Sequence, residues 1–299
     1  MTENPISDSG ASILKRFLSG RAAGFVRKNK IKSIIAFLVV LCCFATLPLP
    51  FGEIDDLNKA NPGVTAFMRE HEGVARSKGR AFYRFQKWIR YDKIPKHVTD
   101  AIVVAEDGTF WSHSGFDWFE LKESLKRNFS EGRAARGAST ITQQLVKNLF
   151  LSSSKNPLRK LREWILTFYM ERTLTKSRIL ELYLNVIEWG EGVYGIEAAS
   201  QLYFNKSVSD LTRDEATRLA AIIPSPKRHG ANEDSQYVAR RAQVILQRMK
   251  ARSMIPVASI SRDSSVLNED FLVQPADSAM LNLDGGFNGD SLKVRRDSL

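Results

Sequence analysis

The sequence predicts a mostly α-helical domain. Apolar residues recur at three- and four-residue intervals along most of its length, and side chains suited to helix caps stand where those patterns begin. No segment alternates apolar and polar residues with the period of two that a half-buried strand shows.

The 299 residues, 43% of them hydrophobic, suffice for one sizeable core and additional segments. A net charge of +11 implies an anionic partner: nucleic acid, a phospholipid surface or a phosphorylated substrate. The two cysteines, Cys42 and Cys43, are adjacent and lie in an apolar run, so no disulfide framework is expected.

Residues 1–32 read as a basic cytoplasmic tail, with Lys15, Arg16, Arg21, Arg27, Lys28, Lys30 and Lys32 against Glu3 and Asp8. Residues 33–51 are apolar and uncharged, close to the ~20 residues that span a bilayer. Thr46–Pro50 makes a poor cleavage site, and Leu41 precedes Cys42 where a lipoprotein would carry a small residue. The run therefore reads as a single-pass signal anchor, with the basic flank inside and everything after residue 52 outside. Across 52–95 aromatic residues such as Phe82, Phe85 and Trp88 interleave with Arg80, Arg84 and Lys87. Single-stranded nucleic acid and anionic lipid both suit that mixture. The adjacent span favours lipid, and nucleic acid is not expected as a partner.

A domain is expected over about residues 60–255. Pro95 opens a helix through Val98, Ile102 and Val103 that stops at Glu106-Asp107-Gly108. The next stretch, GTFWSHSGFDWF, is too aromatic for a plain loop and too interrupted by glycine for a helix. Arg136–Asn148, RGASTITQQLVKN, is a loop-to-helix junction in which Thr140 and Gln143 fit a capping box. Gln143, Gln144 and Lys147 project from its first two turns, near an N-terminus that favours anions. Taken alone, the stretch is equally well read as a capped amphipathic helix. Asn156 and Pro157 start the next helix, whose later part, ILTFYM, is apolar on every side and therefore expected to be buried. Thr175 caps a helix closed by Gly190, GEGVYG leads into IEAASQLYF, and Thr212 with Glu215 forms a second capping box. A final helix is expected over about 235–252, and residues 257–299 have the composition of a disordered tail.

The four histidines are scattered without metal-ligand spacing, and no Walker loop, Rossmann fingerprint or nucleophile elbow occurs. Two carboxylates stand out. Glu106 closes a helix, where an acid is disfavoured, and Glu163 sits beside Arg159 and Lys160 where a helix passes from polar to apolar. Paired acids suit glycosyl chemistry, although by sequence alone Glu163 is more readily a helical ion-pair partner of Arg159.

Five blocks in order, EDGTFWSHSG, RGASTITQQLVKN, RKLRE, KSRILELYLN and RDEATRLAAIIPSP, resemble the peptidoglycan glycosyltransferases, glycosyltransferase family 51. With no transpeptidase domain, the chain resembles the monofunctional members. The resemblance covers about residues 60–230 and implies a lysozyme-like helical fold on the outer face of the inner membrane. It also implies the joining of lipid II units into a β-1,4-linked glycan strand, with undecaprenyl pyrophosphate leaving. By the same resemblance Glu106 is the general base. Glu163 is the second essential glutamate, acting at the pyrophosphate end with a divalent cation, Mg or Mn, and serving as its ligand. Gln143, Gln144 and Lys147 would hold the donor, Ser139, Thr140 and Asn148 would add hydrogen bonds, and Arg159 and Lys160 form the basic pair. Lys155 stands where many members carry arginine, keeping the charge and losing the bidentate fork. Thr109–Phe129 would be a mobile flap meeting the lipid tail, with a loop packed on the core as the alternative. Expected partners are lipid II, the growing strand, membrane lipid and other cell-wall synthesis or division proteins. A lysozyme-like lytic transglycosylase acting on existing glycan is the rival, disfavoured because cleaving a neutral bond needs no basic cluster.

Overall fold

The computed structural model of the protein describes residues 32, 34–36, 49–131, 139–154 and 156–254, without the side chains of 125–131 and 254. The basic tail apart from Lys32, most of the apolar run 33–51, residues 136–138, Lys155 and the tail 257–299 lie outside the described residues. Among the described residues, no helix is long and apolar enough to cross a membrane. The chain divides into two compact units at Leu246; of the second, residues 247–254 are described and are helical.

The expectation of a mostly helical domain holds. Helices α1 (Phe51–Asp56) and α2 (Ala66–Ser77) precede strand β1 (Phe85–Gln86) and a 3-10 turn at Tyr91–Lys93. Then come α3 (Lys96–Glu106), α4 (Trp118–Glu131), α5 (Ile141–Phe150), α6 (Pro157–Thr173) and α7 (Lys176–Val186). Strands β2 (Glu188–Gly190) and β3 (Val193–Tyr194) lead into α8 (Ile196–Phe204), a 3-10 turn at Val208–Asp210, α9 (Arg213–Ile222) and α10 (Gln236–Met254).

The cap signals are where the sequence places them. Thr140 and Thr212 each make both halves of a capping box, Asn156 accepts from the Leu158 amide, and Pro157 occupies the first turn of α6. Helix α5 packs against α2, α6 and α7, while α3 packs against α9. The core fills with Ile141, Leu145, Leu166, Met170, Ile179, Leu182 and the large rings of Phe110, Tyr183 and Trp189.

Four expectations are corrected. GTFWSHSGFDWF does contain a helix start: Asp117 Oδ1 accepts from the Glu120 amide at 2.8 Å and so caps α4. Between Thr109 and Phe129 the chain makes a turn, with Phe110 in the core, and then runs into α4, where Trp118 is exposed. A three-stranded sheet, ordered β1-β3-β2, is present but has strands too short to show any period. Its last strand takes up Glu188–Gly190, so α7 ends at Val186 rather than at Gly190. The ILTFYM part of α6 is apolar without being buried on every side. Glu163, Leu166, Thr167 and Met170 face the core, while Leu158, Leu161, Trp164 and Phe168 form an exposed stripe on the other side.

The entry to the domain is fastened down. Tyr169 on α6 bonds Asp55 on α1 (2.9 Å) and packs its ring 4.6 Å from that of Phe51. Arg178 on α7 donates to the carbonyls of Leu57 and Ala60, at 2.8 Å each.

Candidate active site

The turn after α3 and the start of α5 are one unit. The Asp107 carboxylate accepts from the Ile141 amide (2.9 Å), a free donor in the first turn of α5, and from His113 Nε2 (2.9 Å). The Gly115 amide donates to His113 Nδ1 (3.1 Å), so the ring proton sits on Nε2, facing Asp107. Gly115, at φ +91°, returns its carbonyl to the Thr140 hydroxyl (2.8 Å); a Cβ there would meet Thr167 Cγ2 at 2.8 Å. Glycine is required at that point to bring the first and second motifs together.

Glu106, the last residue of α3, is carried into this junction. Gln144 Nε2 donates to its Oε2 at 3.0 Å, and Arg241 Nη2 stands 3.7 Å from its Oε1. Its side chain is 10% exposed, and burial pushes its pKa above the usual carboxylate value; the Gln144 bond and the Arg241 charge work the other way. A carboxylate of this kind accepts a proton at physiological pH better than a solvated one does.

One helix away the surroundings reverse. Glu163, 2% exposed, receives Arg159 Nη1 on Oε2 (2.6 Å) and Lys160 Nζ on Oε1. Arg159 is itself oriented by the Ser154 carbonyl (2.6 Å), and the Ser153 amide is held by Glu70 on α2 (2.8 Å). Lys147, from α5, feels Glu163, Arg159 and Lys160 electrostatically; burial pulls its pKa down. Among the described residues its ammonium has no hydrogen bond or ion pair, so it stands ready for an anion.

Ser139 joins the two ends. Its carbonyl lies 3.5 Å from Gln144 Nε2 and its hydroxyl 3.4 Å from Lys160 Nζ. The remaining expected site residues fall around it with structural bonds already made. Thr140 caps α5, Gln143 accepts from the Thr140 amide (3.0 Å) to complete the capping box, and Asn148 donates to the Gln144 carbonyl (2.8 Å). Gln144 turns its amide to Glu106, and its Oε1 accepts from Tyr183 (3.0 Å). Lys155 is outside the described residues. Sequence reasoning missed Arg241, 135 residues from Glu106, and the part of Asp107 and His113 in building the junction. Their only trace was His113 standing six residues beyond Asp107 within one motif.

The residues present do not fit a resident divalent cation. Both Glu163 oxygens are taken by cations, Lys147 adds a third positive charge beside them, and no metal-binding group of three acidic, His or Cys side chains exists among the described residues.

A buried carboxylate at one end and a cluster of cations at the other suit group-transfer chemistry. Comparison with known proteins agrees: the family model described as Transglycosylase matches residues 74–250, and the chain belongs to that family. Relatives named biosynthetic peptidoglycan transglycosylase are similar over most of their length. The Nitrosospira multiformis protein is 42% identical over 204 residues, 68% of this chain and 89% of the relative. The Paraburkholderia phytofirmans protein is 41% identical over 218 residues, 73% of this chain and 90% of the relative. The Janthinobacterium protein is 41% identical over 194 residues, 65% and 84% of the two chains.

Proposed function

We propose that this protein polymerises lipid II into β-1,4-linked glycan strands and releases undecaprenyl pyrophosphate. The observation that carries the reading is the pairing of a buried, proton-attracting Glu106 with the Lys147, Arg159 and Lys160 cations across one short helix. Glu106 takes the proton from the 4-hydroxyl of the acceptor GlcNAc as that oxygen attacks C1 of the donor MurNAc. The C1–O bond to pyrophosphate breaks with inversion, and the electron pair leaves on the pyrophosphate. Lys147 meets the charge that develops there, the contribution that dominates most such reactions. Glu163 holds Arg159 and Lys160 in place, and no step is routed through a metal. A lytic enzyme would have no use for these three cations.

The same reading makes the helical scaffold lysozyme-like and the run 33–51 its anchor in the cytoplasmic membrane, with the domain on the outer face. Leu158, Leu161, Trp164 and Phe168 on α6 continue into Phe116, stacked on Trp118 at 5.5 Å, and Arg172 lies 4.4 Å over the Phe168 ring. Trp118 is 66% exposed and Phe168 50%. Apolar side chains edged by a cation suit a lipid surface beside the lipid-linked donor.

The test uses the full chain in detergent with labelled lipid II. Growth of glycan chains that disappears in Glu106→Gln is the expected result. Shortening of preformed glycan without polymer overturns the proposal in favour of the lytic reading.

A further inference from the structure

Tyr183 lies on α7, 39 residues from Gln144, with its ring fully buried in the core. Its hydroxyl has one acceptor among the described residues, Gln144 Oε1 at 3.0 Å, and burial holds its pKa well above the ordinary phenol value, so it donates there. An amide's two ends have nearly the same shape, and its partners decide which way it points. Turned over, Gln144 would set its oxygen against Glu106, which a protonated carboxyl tolerates and a carboxylate does not. Among the described residues, the only other contact favouring the observed orientation is the long 3.5 Å approach of Nε2 to the Ser139 carbonyl. The charged and titratable groups around Glu106 are Arg241 from α10, Asp107 in its own turn and Tyr183 from α7. Asp107 is committed to His113 and the Ile141 amide. Gln144 is therefore the closest donor to Glu106, at 3.0 Å against 3.7 Å for Arg241.

We infer that Tyr183 is a positioning residue for the base: its hydroxyl locks the Gln144 amide so that Nε2 supports the ionised form of Glu106. The inference rests on the reading of Glu106 as the base of glycan polymerisation. Tyr183 touches no substrate in this scheme and acts wholly through Gln144. A purely structural tyrosine would support the core and leave the proton affinity of Glu106 alone.

Initial rates of lipid II polymerisation against pH test the inference, measured on the full chain in detergent with melting curves alongside. Tyr183→Phe removes only the hydroxyl. On the acid side of the profile its kcat should fall about ten-fold with KM little changed. The acid limb of its kcat profile should move up by about one pH unit, because Glu106 loses an oriented donor and holds its proton more tightly. Gln144→Met should move the limb at least as far. Adding Tyr183→Phe to it should move the limb no further, since nothing remains for the phenol to orient. Tyr183→3-fluorotyrosine keeps the packing and strengthens the donor, so its limb should move toward lower pH. That variant decides the question should Tyr183→Phe prove unstable. An unmoved limb in either Tyr183 variant, or additive shifts in the double variant, overturns the inference. Polymerisation surviving in Glu106→Gln would instead overturn the reading of the base itself.

Discussion

Glu106 closes a helix and Glu163 stands nearly two turns inside another, and the two carboxylates meet opposite surroundings. Glu106 has one neutral amide and a single guanidinium 3.7 Å away, so burial dominates and its proton affinity rises. Glu163 is more buried yet has a cation on each oxygen, so its charge is spent on holding Arg159 and Lys160 in place. Residue type therefore does not assign a role at this site; the number of cations within reach does. On the proposed function, the carboxylate with fewer partners is the one that takes a proton. The other is saturated so that its partners stay aimed.

Removing the underpartnered carboxylate should have the largest effect. Glu106→Gln should lower polymerisation about 10³-fold, as loss of a general base does. It should also stabilise the fold at neutral pH. The folded-state pKa of Glu106 is raised, so stability is fully present below the unfolded carboxylate pKa and is lost as pH rises toward the folded value. Melting at pH 7 should therefore rise by about 2–4 °C in the variant, and the gap should close on acidification. A wild-type protein that melts higher at pH 7 would break the contrast.

Lys147→Met comes next, with about a 10²-fold loss of rate from the missing positive charge at the leaving group. Burial lowers the pKa of this ammonium, so its charged form costs stability below the folded pKa, and the variant should fold at least as stably as the wild type. A drop in melting temperature would show that Lys147 is a structural ion-pair partner.

Arg159→Ala should act mainly through Glu163. Withdrawing one cation from a carboxylate 2% exposed should cost about 2 kcal/mol, read from denaturant unfolding. Adding Glu163→Gln to that variant should recover part of the loss, and a double variant less stable than either single would refute the saturation picture. The smallest effect belongs to the exposed stripe: Phe168→Ser should weaken binding to phosphatidylglycerol vesicles by a few-fold, measured by flotation, with the rate on short-chain soluble substrate unchanged.

Much of this arrangement was legible because it is local. Thr140 with Gln143, Asn156 with Pro157, and Thr212 with Glu215 act over three residues or fewer, so the starts of α5, α6 and α9 follow from neighbours in the chain. Arg159 and Glu163 were legible as a pair because four-residue spacing places them one turn apart, while Lys147 and Lys160 were singled out by motifs that resemble the family's. What escaped depends on contacts across the fold. Arg241 reaches Glu106 over 135 residues and Tyr183 reaches Gln144 over 39, and neither distance leaves a period. Helix α4 escaped because Trp118 and Phe119 follow two glycines closely and the cap at Asp117 was overlooked. The outer stripe of α6 escaped because apolar composition does not say which side of a helix meets the core.

The bonds of Tyr169 and Arg178 to the start of the domain have a mechanical consequence. Glu163 stands six residues along α6 from Tyr169, about 9 Å of helical rise. On the proposed reading, whatever fixes Phe51 therefore fixes the Glu163 end of the site as well, as a bracket does and a tether does not. If residues 33–51 anchor the chain as proposed, the enzyme would work at a set altitude above that anchor, and a strand growing by repeated additions would leave at a constant height. Lengthening the chain ahead of Phe51 would let the whole bracket drift, while lengthening it between Ala60 and Thr65 would leave the altitude as it was.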